Sequence, residues 1–413
     1  MEGSPYLSND LLVVEILVRL PEEALLRLMA VCKSWKSIIT SPEFCSLHLS
    51  TNRHPSKILL ITRDRGQFNP DDDTIPKQRY LLLDNDEHLP ADPSWLAPFD
   101  FPFECPNTIS YHILGSINGL ICISLIPSYF WVDVEVNIPI VLWNPTIRRC
   151  VCLPEPNFSY MYTSSIEFGY DATTDDYKIL VIRRVGGSTT TTTTTPALEF
   201  HIYSLNSHAW RGGFKMCPPA GTGERGDRRL FCGTDAFAGG KMHWLVSNEI
   251  NYDEVELDEF ELLCKSKSLY SFDVAEEVFA EMALPPPDEV GVQPVLTVVR
   301  DSLHLVQPTL GLEMPIYWTI WVKMDAGGSC DMYWKKLYRV DVDVTAKFVC
   351  FLKNGELLMD MCPPHLDDHG VLAAYDPRAR QFKDLEPLSL SQQRAVGSVR
   401  SFNHQESLVL LDR

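Results

Sequence analysis

The sequence predicts an α+β multidomain protein: three short N-terminal helices, then a mainly β repeat domain forming a β-propeller of about five or six blades. Three observations predict it. One N-terminal helix is apolar almost all round; a large aromatic precedes another bulky residue by seven positions at four places; and tight polar turns feed apolar strands ahead of those pairs. An open stack of sheets is the alternative assembly.

The first helix is predicted over Ser8–Leu20, with Ser8 or Asn9 as N-cap and Asp10 near the positive end of the dipole. Pro21 stops it, because proline cannot continue a helix. Leu11, Leu12, Val13, Val14, Ile16, Leu17, Val18 and Leu20 are apolar, and only Glu15 and Arg19 interrupt them. A helix on the surface of a lone domain carries one apolar stripe, so this one is buried on more than one side. A second helix is expected over Glu22–Val31 and a third over Cys32–Ile39, with Trp35, Ile38 and Ile39 at core spacing. Ser41-Pro42 ends the third, and Phe44 and Leu47 add apolar anchors. Three helices in so short a segment bury too little surface to be stable alone. With no metal or disulfide pattern there, a partner protein is the expected staple.

These residues carry a resemblance. The run Leu11 to Pro21, then Leu25-Leu26-Arg27-Leu28, then Val31-Cys32-Lys33-Ser34-Trp35, closed by Ser41-Pro42-Glu43-Phe44, resembles the F-box of the large plant type. Leu7-Ser8 stands where that family has Leu-Pro. The resemblance implies an F-box over residues 7–50 that docks on a Skp-type adaptor, and through it on a cullin scaffold carrying a ubiquitin-charged enzyme. The residues it implies for adaptor binding are Leu11, Ile16, Leu17, Pro21, Leu25, Val31, Cys32 and Trp35. Some of these serve the module's own core and some the adaptor, and the sequence does not separate the two.

From Pro55 to the end the chain reads as strands, turns and prolines. The aromatic pairs are Trp143 with Cys150, Tyr203 with Trp210, Phe272 with Phe279, and Tyr375 with Phe382. A short polar turn between two antiparallel strands would bring each pair onto one hairpin. The preceding elements are Asn118-Gly119, Gly239-Gly240, Arg300-Asp301 and Asn354-Gly355, each followed by an apolar strand. Their period is roughly 50 to 65 residues, close to the kelch-like range. Two hairpins make one four-stranded blade. The stretches Gly115–Cys122, Trp143–Thr146 and Phe168–Lys178 resemble the F-box-associated domain of plant proteins, and less closely the kelch repeats. That likeness implies a protein-binding, non-catalytic domain over 55–413.

Composition narrows the function. Apolar residues make up 45% of the 413, enough for a substantial core. With 55 acids against 36 bases the formal charge is −19, which disfavours a nucleic-acid partner. The start of the chain lacks a signal-peptide pattern, no apolar run is long enough to span a membrane, and the 12 cysteines are scattered without a Cys-x-x-Cys pair. The expectation is a reduced protein of the cytosol or nucleus, without membrane contact.

Chemistry is sparse. There is no phosphate-binding glycine loop and no Gly-x-Ser-x-Gly elbow. His365 and His369 lie four apart but follow Pro363-Pro364, so a loop is expected there, and no metal or cofactor. Cys150 and Cys152 share one face of a strand and are expected to fill the core. Trp143, Trp210 and Trp244 are expected to pack the repeats rather than line a pocket. Seven threonines, Thr189–Thr195, form a low-complexity insert, and Asp253–Glu261 carries six acids and no base. Both are expected in loops that shape a recognition face.

The function expected is therefore a non-catalytic substrate receptor: the F-box holds the adaptor while the β domain holds an unidentified protein to be ubiquitinated. The alternatives are a propeller sensor or enzyme using the central channel, and an F-box protein without ligase output.

Overall fold

The computed structural model describes residues 15–52, 57–64, 78–85, 96–98, 109–127, 139–158, 163–185, 197–216, 236–247, 266–286, 294–310, 316–325, 332–342, 346–361, 371–383 and 396–410. Most of the predicted first helix lies outside these residues. Its described end is a π-type turn at Glu15–Ile16 followed by a 3-10 turn, Leu17–Arg19, and the chain is extended by Leu20, ahead of Pro21.

Helix α1 spans Glu22–Leu28, α2 Lys33–Ile39 and α3 Pro42–Thr51. The regular part of α1 stops three residues short of the expected Val31. There the N–H groups of Ala30 and Val31 turn to carbonyls three residues back, Arg27 and Leu28, and tighten the end. The Cys32 sulfur caps α2 by accepting from Trp35 N at 3.4 Å. Helix α3 was not expected. Ser41-Pro42 ends α2 but also begins α3: Ser41 Oγ accepts from Phe44 N at 3.2 Å, and proline fits a first turn that needs no N–H.

The rest is a six-bladed propeller, each blade a four-stranded antiparallel sheet. Blade 2 holds β4 (Ile109–Ile117), β5 (Leu120–Pro127), β6 (Ile140–Asn144) and β7 (Arg149–Cys152). Blade 3 holds β8 (Thr163–Asp171), β9 (Asp176–Val185), β10 (Ala197–Ser204) and β11 (Ala209–Met216). Blade 4 holds β12 (Ala236–Ala238), β13 (Lys241–Ser247), β14 (Ser266–Asp273) and β15 (Phe279–Ala283). Blade 5 holds β16 (Val295–Val299), β17 (Ser302–Leu310), β18 (Ile316–Asp325) and β19 (Met332–Val342). Blade 6 holds β20 (Ala346–Phe351), β21 (Leu357–Met361), β22 (Val371–Asp376) and β23 (Gln381–Lys383). Blade 1 is shared between the chain ends: β1 (Lys57–Asp64), β2 (Gln78–Asp84) and β3 (Leu96–Pro98) receive β24 (Val396–His404) as innermost strand. Seven successive residue pairs, from Lys57↔His404 to Arg63↔Ser398, close the ring.

The aromatic pairs of the sequence are direct cross-strand partners: Trp143↔Cys150, Tyr203↔Trp210, Phe272↔Phe279 and Tyr375↔Phe382. One turn geometry links all four. The residue after the opening aromatic (Asn144, Ser204, Asp273 or Asp376) accepts from backbone N–H groups two or three residues on. Five positions after the aromatic, Arg148, His208, Glu277 and Arg380 take φ between 49° and 55°. The same device recurs between β8 and β9, where Tyr170 faces Tyr177, Asp171 caps Thr173, and Asp175 has φ 50°. The companion turns Asn118-Gly119, Gly239-Gly240 and Arg300-Asp301 each place two successive residues at positive φ, as a two-residue hairpin turn requires.

Neighbouring blades bury apolar faces against each other all round the ring. Leu59, Ile113 and Trp143 join blades 1 and 2; Leu142, Phe168 and Tyr203 join 2 and 3; Phe200, Trp244 and Phe272 join 3 and 4. Leu245 and Leu305 join 4 and 5; Trp318 and Met359 join 5 and 6; Ile58, Leu60 and Leu358 join 6 and 1. Trp143 and Trp244 are core residues, as expected. Cys150 and Cys152 are exposed, against expectation, because β7 is the outer strand of its blade and no sheet covers that face.

Candidate functional site

The helical module has its own small core of Leu17, Val18, Leu25, Ile39 and Phe44, closed by Leu408 and Ile147 from the propeller. That core divides the predicted adaptor residues. Leu17 and Leu25 are buried, and Trp35 is half-buried against the same cluster. Ile16 is 43% exposed, Val31 65% exposed, and Pro21 and Cys32 are also at the surface. Leu11 lies outside the described residues. Leu47, named only as an anchor, is 39% exposed and joins the apolar surface of the module.

The segment after β24 seats this module on the ring. Gln405 Nε2 donates to Asn52 O at 2.6 Å, and the Cys45 thiol faces Leu408 O at 3.9 Å. From the propeller, the Asn144 amide donates to Ser407 O at 3.0 Å and Val409 O at 2.9 Å, and Arg149 donates to Leu410 O at 2.8 Å. Residues 405–410 thus form a tail held by helices on one side and blade 2 on the other.

Strand direction then orients the ring. Turns joining the first to the second strand of a blade, and the third to the fourth, lie at one end. Gly119 and Ile147 belong to such turns and meet the tail or the helices, so the F-box-like module sits at that end. The poly-threonine insert and the acidic run fall within 186–196 and 248–265, outside the described residues. The strand ends they join, at Val185, Ala197, Ser247 and Ser266, belong to the opposite end.

The flank of blade 3 carries a cavity of about 460 Å³ lined by Phe158, Arg183, Glu199, His201, Trp210 and the Gly212-Gly213 pair, among others. Phe158 stacks on His201 with ring centroids 3.8 Å apart, and Arg183 lies 5.4 Å from the Phe158 centroid. Arg183 pairs with Glu199 at 2.9 Å, and Trp210 donates to Pro154 O at 2.8 Å. Burial pushes the His201 imidazole below its ordinary pKa; Arg183 adds to that shift and Glu199 opposes it. Sequence reasoning missed Arg183, Glu199 and His201. The only signal was Gly212-Gly213, where the register slips after Phe200 and Gly213 takes φ +89°. The arrangement can hold a small polar group. Its described lining residues include no serine, threonine or cysteine. Among the described residues no group of three His, Cys, Asp or Glu is placed to hold a metal; His365 and His369 lie outside them. No helix among the described residues is long and apolar enough to cross a membrane.

Two family models match the two parts of this architecture. A family model described as the F-box domain matches residues 9–47, and one described as the F-box associated beta propeller domain matches 130–381. An F-box/kelch-repeat protein of Arabidopsis thaliana is 27% identical over 261 residues, covering 60% of this chain and 63% of that protein. A second Arabidopsis thaliana F-box protein is 29% identical over 174 residues, covering 42% of this chain and 39% of its own length. A third is 24% identical over 418 residues, covering 93% and 88%. Among solved structures, the β-propeller domain of the Trilobed protease from Pyrococcus furiosus aligns at TM-score 0.38 and 13% identity, covering 71% of this chain and 76% of that one.

Proposed function

Because the chain belongs to the F-box proteins with an F-box-associated β-propeller domain, we propose that it is the substrate-recognition subunit of a Skp–cullin–F-box ubiquitin ligase. The exposed apolar residues of the module bind the Skp-type adaptor, which connects to the cullin, and the propeller holds a target protein. The chain itself is non-catalytic and works in the cytosol or nucleus. Tethering supplies the gain, since a target held near the charged enzyme meets it at high effective concentration.

One observation carries this reading. The helices present Ile16 and Val31 to solvent while their inner face is locked to the propeller through Leu408. An apolar surface on a small module that is already anchored calls for a second protein. The module is seated at one end of the ring, and the strand ends at Val185, Ala197, Ser247 and Ser266 belong to the other.

The test is co-purification of the intact chain with a Skp-type adaptor, against an Ile16→Asp, Val31→Asp variant. Both positions are exposed, and an unchanged unfolding midpoint of the variant is the control for folding. Adaptor binding by the intact chain that the variant loses supports the reading; no binding by the intact, folded chain overturns it.

A further inference from the structure

The outer strand of blade 5 differs from its counterparts. β19 runs over 11 residues, whereas β3, β7, β11, β15 and β23 run over 3, 4, 8, 5 and 3. It is outermost in its sheet, so among the described residues one edge of its backbone has no strand beside it. Such an edge offers alternating N–H and C=O groups to any extended chain.

Its side chains narrow the choice of chain. Tyr333 is 50% exposed and Leu337 42%, and Lys335, Lys336 and Arg339 are exposed with them. In a protein of net charge −19 this strand therefore shows three cations against one exposed acid, Asp341. Lys336 lies 5.6 Å from the Trp321 ring and Arg339 3.4 Å over the Tyr317 ring, both rings belonging to β18. Those contacts hold two of the cations back over the sheet, toward its inner strands. Leu337 is an extra residue between the pairs Trp321↔Lys336 and Ile320↔Tyr338, and it divides the edge into Met332–Lys336 and Tyr338–Val342.

Lysines on an edge strand disfavour pairing with positively charged strands by repulsion and with neutral ones by the cost of burying the charge. Toward an acidic segment the same charges attract. We propose that the edge of β19 captures an extended acidic segment of a partner protein by strand addition. Alternation puts Tyr333 and Lys335 on one face of β19 and Lys336 on the other, so carboxylates along one face of the segment meet Lys335 and its apolar residues lie on the opposite face. Strand addition draws affinity from main-chain hydrogen bonds and selectivity from alternate side chains. Blade 5 lies across the six-blade ring from blade 2, where the F-box is seated. The inference rests on the receptor reading, and it names the class of segment a target would present.

Fluorescence anisotropy on the full chain tests it, with three labelled octapeptides: alternating glutamate and valine, alternating lysine and valine, and alternating glutamate and proline. The last keeps the charge but lacks half the N–H donors. The glutamate–valine peptide is expected to bind, and the other two at least about tenfold more weakly. Lys335→Glu is expected to weaken it about tenfold while leaving the unfolding midpoint unchanged. Equal binding of the glutamate–proline peptide would reduce the effect to charge attraction and overturn strand addition. Unchanged affinity in the variant would place the peptide elsewhere and also overturn it. Self-association of the intact chain that the variant abolishes would assign the edge to a second copy, which contradicts the proposal. A chain that co-purifies with the adaptor but ignores the peptide sinks the edge alone. One that binds the peptide but no adaptor keeps the edge and loses the ligase context.

Discussion

The amide of Asn144, in a turn of blade 2, donates to the carbonyl of Ser407, in the tail behind the closing strand, at 3.0 Å. The two residues are 263 positions apart, and Asn144 is fully buried. The same amide reaches Val409 O, while its oxygen caps Thr146 N. One side chain therefore shapes a local hairpin and fastens the segment on which the helical module sits.

Asn144→Ala leaves one buried carbonyl, Ser407 O, and one partly buried carbonyl, Val409 O, without their donor. The expected cost is about 2–4 kcal/mol, read as a lower midpoint in urea unfolding. If closure and helix seating are coupled, the same variant exposes residues 15–52 to protease before the blades unfold.

Gly119 takes φ +81°, and a Cβ there would overlap Ser407 Oγ and lie 2.8 Å from Gln405 O. Gly119→Ala should destabilise by about 2 kcal/mol or more, through backbone strain and displacement of the tail. An open glycine makes the control. At Gly355 (φ +88°) nothing lies within 4 Å of the added Cβ, so Gly355→Ala should cost only the backbone share, about 1 kcal/mol.

Lys178 links blades 3 and 4 from a buried position, with Nζ donating to Asp171 at 3.1 Å, Val274 O at 2.8 Å and Glu277 at 3.2 Å. Hydrogen bonds from Thr173, Thr174 and Lys178 hold the Asp171 carboxyl well below the ordinary range despite its burial. Lys178→Met removes the cation and leaves the buried Asp171 without an ion-pair partner, while Glu277 keeps Arg211, and should cost about 3–5 kcal/mol. A Lys178→Met, Asp171→Leu double variant that recovers part of the loss in thermal unfolding would show that the penalty is the uncompensated charge.

Acid should weaken the ring closure. His404 is almost wholly buried on β24, with Nδ1 3.0 Å from Ser116 Oγ, and burial together with nearby Lys57 lowers its pKa to about 4. The unfolded chain binds this proton near its ordinary 6.5, and the folded chain resists it. The contribution is therefore complete above pH 6.5 and is lost as pH falls toward 4, up to about 3 kcal/mol. Urea midpoints at pH 7.5, 6.0 and 4.5 check it. In His404→Gln the fall over that window should be shallower by up to about one proton.

Much of the ring was legible before the structure. Tyr203 with Trp210 and Phe272 with Phe279 could be read as hairpin partners, because a turn of fixed length and an αL residue before the second strand are local features. The β8–β9 copy escaped notice because it joins the first two strands of its blade, where the other copies join the last two. Helix α3 escaped because Ser41-Pro42 reads equally as a stop and a start.

By itself the sequence determined the kinds of element and their repeat: an over-apolar helical module needing partners, and hairpins whose turn chemistry recurs blade after blade. It also held the apolar residues of the helical module, but not their division between core and surface, since Leu25 and Val31 look alike until packing buries one and exposes the other. Only the tertiary structure decided that β24 pairs with β1, that Leu408 completes the helical core, and that β19 is the outermost described strand of its sheet. Those outcomes join residues hundreds of positions apart, or depend on which strand ends outermost. Neither leaves a periodic or local signature, because both follow from how six sheets close on one another rather than from any one segment.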